Sequence, residues 1–148
     1  MAAIAVTPMV EVLQKYLDAF NRADWGAYKS TLTPDSVHIE PCGMELHGPD
    51  ASAEGVKVFK VAFPDLTGEV IRLIPGDLQA AAEIVWRGTH TGPLVTPTGT
   101  IPPTGKPITV HATKVFAFEG DLIKYSRHYW DMTELLGEIG AMPGASSS

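Results

Sequence analysis

The chain has a single cysteine, Cys42, so no disulfide can form within it. That fits a reducing compartment such as the cytoplasm. It has no surplus of positive charge. The formal net charge of −6 and a pI near 5.2 argue against nucleic acid or an anionic membrane as the main partner. No apolar run is long enough to span a bilayer. The opening stretch MAAIAVTPMVEV lacks the basic segment of a signal peptide. No repeat at solenoid spacing is visible. His38, His47, His90, His111 and His128 are scattered, and none joins Cys, Asp or Glu at the spacing of a metal site. GTHTG and PTGTIPPTG lack the lysine and the following helix of a phosphate loop. What is present is a chain of 148 residues, 45% hydrophobic and 19% charged, enough for one domain with a real core. That domain is expected over residues 1–141, followed by a flexible Gly/Ser-rich tail over 142–148.

Periodicity divides the chain in two. Up to Phe63 the period is helical. Thr7 can cap a helix over residues 8–23 with Pro8 in its first turn. Met9, Leu13, Tyr16, Leu17 and Phe20 form one apolar stripe on it, so Tyr16 points inward. Asp24 opens a short second helix carrying Trp25 and Tyr28 and ending near Thr33-Pro34. Residues 37–40 read as a short strand, with His38 and Glu40 on one face and Val37 and Ile39 on the other. Pro41-Cys42-Gly43 breaks it. A third helix follows, packed through Val56, Phe59 and Phe63 and stopped by Pro64.

Beyond Pro64 the period is two. Residues 70–74 and 78–91 read as strands, the second with Ile84, Trp86 and His90 on one face. Residues 92–107 form a proline-rich loop long enough for a lid or a partner contact. Two more alternating runs flank the turn Glu119-Gly120-Asp121. Lys114 interrupts the apolar face of the first, where a charge is costly without a task or a partner. On the second, Ser126, His128 and Trp130 share one face, a polar, titratable and aromatic row of the kind that lines a ligand cavity. A terminal helix covers 131–139. Helices first and strands later mean α+β. Apolar residues on both faces of the long strands, Ile123 and Tyr125 against Leu122 and Val85 against Ile84, point to a homodimer through the outer face of the sheet.

The segments WRGTHTGPL, PPTGKPI, FEGDLIKYSRHYWD and LLGEIG, with this element order, resemble the SnoaL-like polyketide cyclase family of the nuclear transport factor 2-like superfamily. The resemblance covers about residues 8–140. It implies a cone-shaped fold, with three N-terminal helices packed on a strongly curved antiparallel sheet, a short C-terminal helix, and a pocket between helices and sheet. Members host ring-closing aldol chemistry, isomerisation, epoxide hydrolysis, hydroxylation and plain binding, so the fold leaves the reaction open. In SnoaL-like cyclases an aspartate on the last strand is the general acid/base, and His128 stands at the matching position. In the similar steroid isomerase branch, Tyr16 matches the oxyanion tyrosine, Glu40-Pro41 the carboxylate base and Trp130 the pocket tryptophan. Lys114 replaces that branch's protonated aspartate. The limonene epoxide hydrolase triad is not recognisable.

The candidate catalytic residues are therefore His128, Glu40, Tyr16 and Lys114, with Trp130, Trp86, His90 and Ser126 as candidate substrate contacts and no metal. Each has a plainer alternative: a core tyrosine, a solvated carboxylate, a lysine turned to solvent, rim histidines and wall tryptophans. If Glu40 is buried among apolar groups, its pKa rises towards that of a useful base. The expected partner is an apolar carbonyl compound of polyketide or terpenoid type, transformed by acid/base chemistry without a cofactor through aldol cyclisation or isomerisation. A binding protein using the same pocket, and a scaffold with a vestigial one, are the alternatives.

Overall fold

In the computed structural model, residues 7–142 are described, so the expected tail apart from Met142 lies outside them. Helix α1 (Pro8–Asn21) begins where Thr7 Oγ1 accepts the Val10 N–H at 3.2 Å. Leu13, Tyr16, Leu17 and Phe20 are buried along it. It ends on Asn21, whose amide both donates to and accepts from the backbone of Gly68. Helix α2 (Trp25–Lys29) is capped by Asp24 and stops earlier than the sequence suggested. The chain then enters β1 (Leu32–Glu40), which starts five residues ahead of the expected strand. An irregularity between Leu32 and Val37 lets Pro34 and Asp35 turn outward, so the proline sits where no ladder N–H is needed. A single 3₁₀ turn (Pro41–Gly43) and a short edge strand β2 (Met44–His47) lead into α3 (Gly48–Ala62).

The rest is mostly sheet: β3 (Thr67–Pro75), β4 (Gln79–Thr89), β7 (Pro107–Glu119) and β8 (Leu122–Trp130), closed by α4 (Met132–Glu138). The six-stranded order is β2-β1-β8-β7-β4-β3. The fold is α+β with helices on one face of a curved sheet, as expected. One junction differs from an all-antiparallel sheet: β1 runs parallel to β8. The other four are antiparallel. Hairpins force antiparallel pairing only between strands that follow each other. β1 and β8 are brought together from opposite ends of the chain.

The parallel pairing sets Val37, His38 and Ile39 beside Tyr125, Ser126 and Arg127. It thereby places the end of β1 next to the polar row of β8. A second departure lies in β8. The register shifts between Ala117 and Phe118, where Phe118 pairs with Ile123 and Ala117 with Tyr125. The extra residue turns Ile123 into the core at 1% exposure, so it does not contribute to the outer face as the alternation implied.

The 92–107 segment is a small hairpin, β5 (Leu94–Thr96) with β6 (Gly99–Ile101), and Leu94 is buried. It docks on the end of α3. Gly92 N–H donates to the Ala62 carbonyl at 3.0 Å, and a Cβ on Gly92 would meet the Val61 carbonyl oxygen at 1.9 Å. Gly92→Ala should therefore destabilise the fold by about 1–3 kcal/mol, seen as a lower urea midpoint. An unchanged midpoint would mean that this hairpin is not held against α3.

Candidate functional site

The concave face carries alternate residues of four strands. Lys114 on β7 lies directly across the ladder from His128 on β8. His38 and Glu40 arrive from β1, and Trp86 from β4. Tyr16 of α1 and Tyr28 of α2 close over them. Tyr16, Glu40, Lys114, His128, Trp86 and Trp130 all line one cavity of about 60 Å³ between sheet and helices. Apart from these polar tips its wall is apolar, formed by groups such as Phe59, Phe63, Val110 and Leu135. In that volume only a few water-sized molecules fit. A ring-sized ligand must displace wall side chains; Trp130 and Phe59, both half-buried and edge-to-face at 5.8 Å, form part of that wall.

Glu40 is the electrostatic centre. Its Oε1 accepts from His38 Nε2 at 2.7 Å and from His128 Nδ1 at 3.1 Å, and its Oε2 accepts from Trp130 Nε1 at 3.0 Å. Burial alone would push its pKa up, as the sequence reading supposed. The His128 and His38 interactions outweigh that and hold it well below the ordinary value. Three N–H donors stabilise the ionised form, so Glu40 is a fixed carboxylate and a weak base.

These bonds settle both imidazole tautomers. His128 gives its Nδ1 proton to Glu40. Its Nε2 accepts from Trp86 Nε1 at 3.2 Å, so it carries a lone pair. Burial, aided by the charge of Lys114, lowers the His128 pKa against the pull of Glu40. The ring is neutral at pH 7, with a basic nitrogen towards the cavity. His38 likewise gives Nε2–H to Glu40 and accepts from Ser126 Oγ at Nδ1, 2.7 Å away. Burial, then Lys114, lowers its pKa to about 4.

A second polar pair lies across the cavity. Lys114 Nζ donates to Tyr16 Oη at 2.5 Å, and Tyr16 and Tyr28 hydroxyls are 3.1 Å apart. Lys114 is buried at 4% exposure, over the Tyr16 and Phe116 rings at 4.7 and 5.7 Å. It makes no salt bridge with Glu40; the partner its buried charge calls for is the Tyr16 hydroxyl. Burial lowers its pKa to about 8, with Glu40 opposing. Tyr16 is raised well above its ordinary value by burial and by Tyr28, and keeps its proton.

Two expected contacts stand behind the wall. Ser126 is buried and holds His38. His90 is wholly buried beneath the 92–107 segment, with Nδ1 bonded to the Thr104 hydroxyl at 2.9 Å and its ring 5.2 Å from Phe63. It ties the base of that segment, one layer away from the cavity. His38 and Tyr28 belong to the site although the sequence reading does not single them out. For His38 the signal was present, because it shares a strand face with Glu40 two residues on. Among the described residues, no group of three or more His, Cys, Asp or Glu side chains is arranged to hold a metal ion.

The family model for the SnoaL-like polyketide cyclases matches residues 10–139. The chain belongs to the SnoaL-like polyketide cyclase family. Among solved structures, a provisionally named SnoaL-like polyketide cyclase from Jannaschia Sp. CCS1 is 19% identical, with a TM-score of 0.83 over 97% of this chain and 99% of that one. IdmH from Streptomyces antibioticus, provisionally a polyketide cyclase, is 22% identical, with a TM-score of 0.77 over 91% and 99%. At these identities both likenesses establish the fold. AclR from Streptomyces galilaeus, provisionally a hydroxylase, is 25% identical, with a TM-score of 0.76 over 94% of this chain and 87% of that one. No curated protein matches the chain. On β8, the last strand of this SnoaL-like protein, the titratable side chain at the cavity is that of His128.

The buried histidines make stability depend on pH. His38 titrates near 6.5 when unfolded and near 4 when folded. Between these values the unfolded chain binds more protons, so stability rises with pH and is lost as pH falls from 6.5 towards 4. His38 alone should cost about 3 kcal/mol across that window, and the lowered pKa of His128 acts in the same direction. Glu40 adds a further loss below 4.5. Urea midpoints measured from pH 7 to pH 4 should fall steeply, and His38→Gln should flatten the curve between 6.5 and 4. A flat wild-type curve would contradict the buried neutral assignment.

Proposed function

We propose that this protein is a small-molecule enzyme performing cofactor-independent acid/base chemistry on an apolar carbonyl compound of polyketide or terpenoid type, in aldol-type cyclisation or isomerisation. The observation that supports it is the Glu40–His128 pair at an apolar cavity. A buried carboxylate holds one imidazole nitrogen as N–H and leaves the other with a lone pair towards the substrate space. That is the arrangement of an oriented general base. His128 removes a proton alpha to the carbonyl, and Glu40 stabilises the imidazolium that forms. Tyr16 and Lys114 hold the carbonyl oxygen as it gains charge, in a site from which water is excluded. The enolate then attacks a second carbonyl, or is reprotonated at another carbon.

Trp86 occupies His128 Nε2 in the ligand-free state, so catalysis requires the substrate to part this bond. That same observation favours the second reading, a binding protein in which His128 only hydrogen-bonds an apolar ligand. The pH dependence of turnover separates the two. A base that works neutral and a lysine that works charged give a bell. Its acid limb lies below 6.5 and its alkaline limb near the Lys114 value of about 8. Absence of turnover with every carbonyl compound that binds would leave the binding reading.

The protein works as a cytoplasmic homodimer in this proposal. No described helix is long and apolar enough to cross a membrane. On the outer face of the sheet, Ile71 and Tyr129, each about half exposed, flank a shallow groove with His111 and Thr113. Light scattering at micromolar concentration should return twice the chain mass of 15.9 kDa, and Tyr129→Glu should shift it towards the single-chain value. A 15.9 kDa species for the wild type would remove the dimer.

A further inference from the structure

We infer that Lys114 is an amine nucleophile that condenses with a ketone or 1,3-dicarbonyl compound to form an iminium, so that the protein carries out Schiff-base rather than purely electrostatic carbonyl chemistry. The inference rests on the reading of the cavity as a carbonyl site, and it changes the role of one residue within it.

Three observations carry it. Among the described residues, Lys114 has no carboxylate within salt-bridge reach, and its polar partner is the Tyr16 hydroxyl. A permanent ammonium held in an apolar wall without a counter-ion is costly, whereas an amine that can shed its proton is not. Second, Nζ is at the cavity, with aromatic rings of Tyr16 and Phe116 around it. Desolvation of this kind turns a lysine into a nucleophile, and the lowered Lys114 pKa of about 8 agrees. Third, His128 is its direct cross-strand neighbour on the same concave face. A carbon alpha to an imine on Nζ is thereby brought to the side of the cavity where His128 Nε2 points.

The step balances without a co-reactant. The ammonium of Lys114 and the carbonyl give the protonated imine and one water, with two ammonium protons leaving on the carbonyl oxygen. The Tyr16 hydroxyl, bonded to Nζ, relays a proton from nitrogen to oxygen and ends unchanged. His128 Nε2 then takes the alpha proton, and the C–H electron pair gives a neutral enamine. The enamine carbon attacks a second carbonyl. The imidazolium returns its proton to the new alkoxide, and water releases the product and regenerates the lysine ammonium.

The test uses the full chain and acetylacetone, a small open-chain diketone that forms a stable conjugated enaminone with a nucleophilic lysine. Intact mass, peptide mapping and near-ultraviolet absorbance are read together. Tryptophan fluorescence reports occupancy of the cavity beside Trp86 and Trp130. The expected result is one adduct per chain, mass increased by one diketone less one water, on Lys114 and at least roughly tenfold above any other lysine. Lys114→Arg, which keeps the charge, and Lys114→Met, which keeps the bulk, should both lose it. The wild-type map stands alone if neither variant folds. Quenching without an adduct on Lys114 would overturn the covalent role and leave the carbonyl site standing. Labelling spread over surface lysines, unchanged in the variants, would overturn it too. No quenching and no adduct would remove the carbonyl reading itself.

Discussion

His128→Gln should lower turnover of a carbonyl substrate by roughly 10²–10⁴-fold while ligand binding and fold persist. Among the described cavity residues, this side chain is neutral at pH 7 and carries a lone-pair nitrogen, which Trp86 Nε1 holds until substrate parts that bond. Glutamine is of similar size and can still bond Glu40, so the loss reads proton transfer rather than collapse. Glu40→Gln should lose activity within the same range, for a different reason. Its amide cannot compensate an imidazolium, and its NH₂ would face N–H donors that now point at oxygen. The two losses should not add when combined, because the carboxylate acts through the imidazole. Kinetics of both single variants and the double variant check this. Two variants as active as the wild type would remove proton transfer from these residues and make binding the better reading.

Lys114→Met should abolish activity yet raise stability by about 1–3 kcal/mol at pH 7. Met fills a similar volume without a charge, and the Tyr16 hydroxyl keeps Tyr28 as partner. The sign can be checked by pH. The lysine titrates near 10.5 unfolded and about 8 folded. Its penalty is therefore complete below 8 and fades as pH rises towards 10.5, where both states are neutral. The stability gained by Met should shrink over the same window. A destabilised Lys114→Met protein would mean that the cation is better compensated than its single hydroxyl partner implies.

Much of this site was legible because it obeys simple periods. The α1 stripe turned Tyr16 inward, and the period of two in β7 and β8 put Lys114, His128 and Trp130 on one face. What escaped depended on pairing across the chain. That β1 would lie parallel to β8 could not be read from either strand alone, yet it joins His38 to Ser126 and Glu40 to His128. The protonation of Glu40 was misjudged for a related reason. Burial is visible in a pattern of apolar neighbours, but its three N–H donors come from strands at both ends of the chain. Alternation places Ile123 outward, but the bulge adds one residue to β8 and turns that side chain into the core. His90 shares the inner face of its run with Trp86, but it lies just past the end of β4, where the chain turns to hold Thr104.

The most direct test is exchange of alpha protons in D₂O, followed by NMR, for a simple aryl ketone that quenches the cavity tryptophans on binding. If His128, oriented by Glu40, is a base at a carbonyl site, the wild type exchanges these protons well above the buffer rate, and His128→Gln reduces exchange towards it with ligand quenching retained. A bound ketone that exchanges no faster than in buffer, or equally fast with His128→Gln, would contradict it.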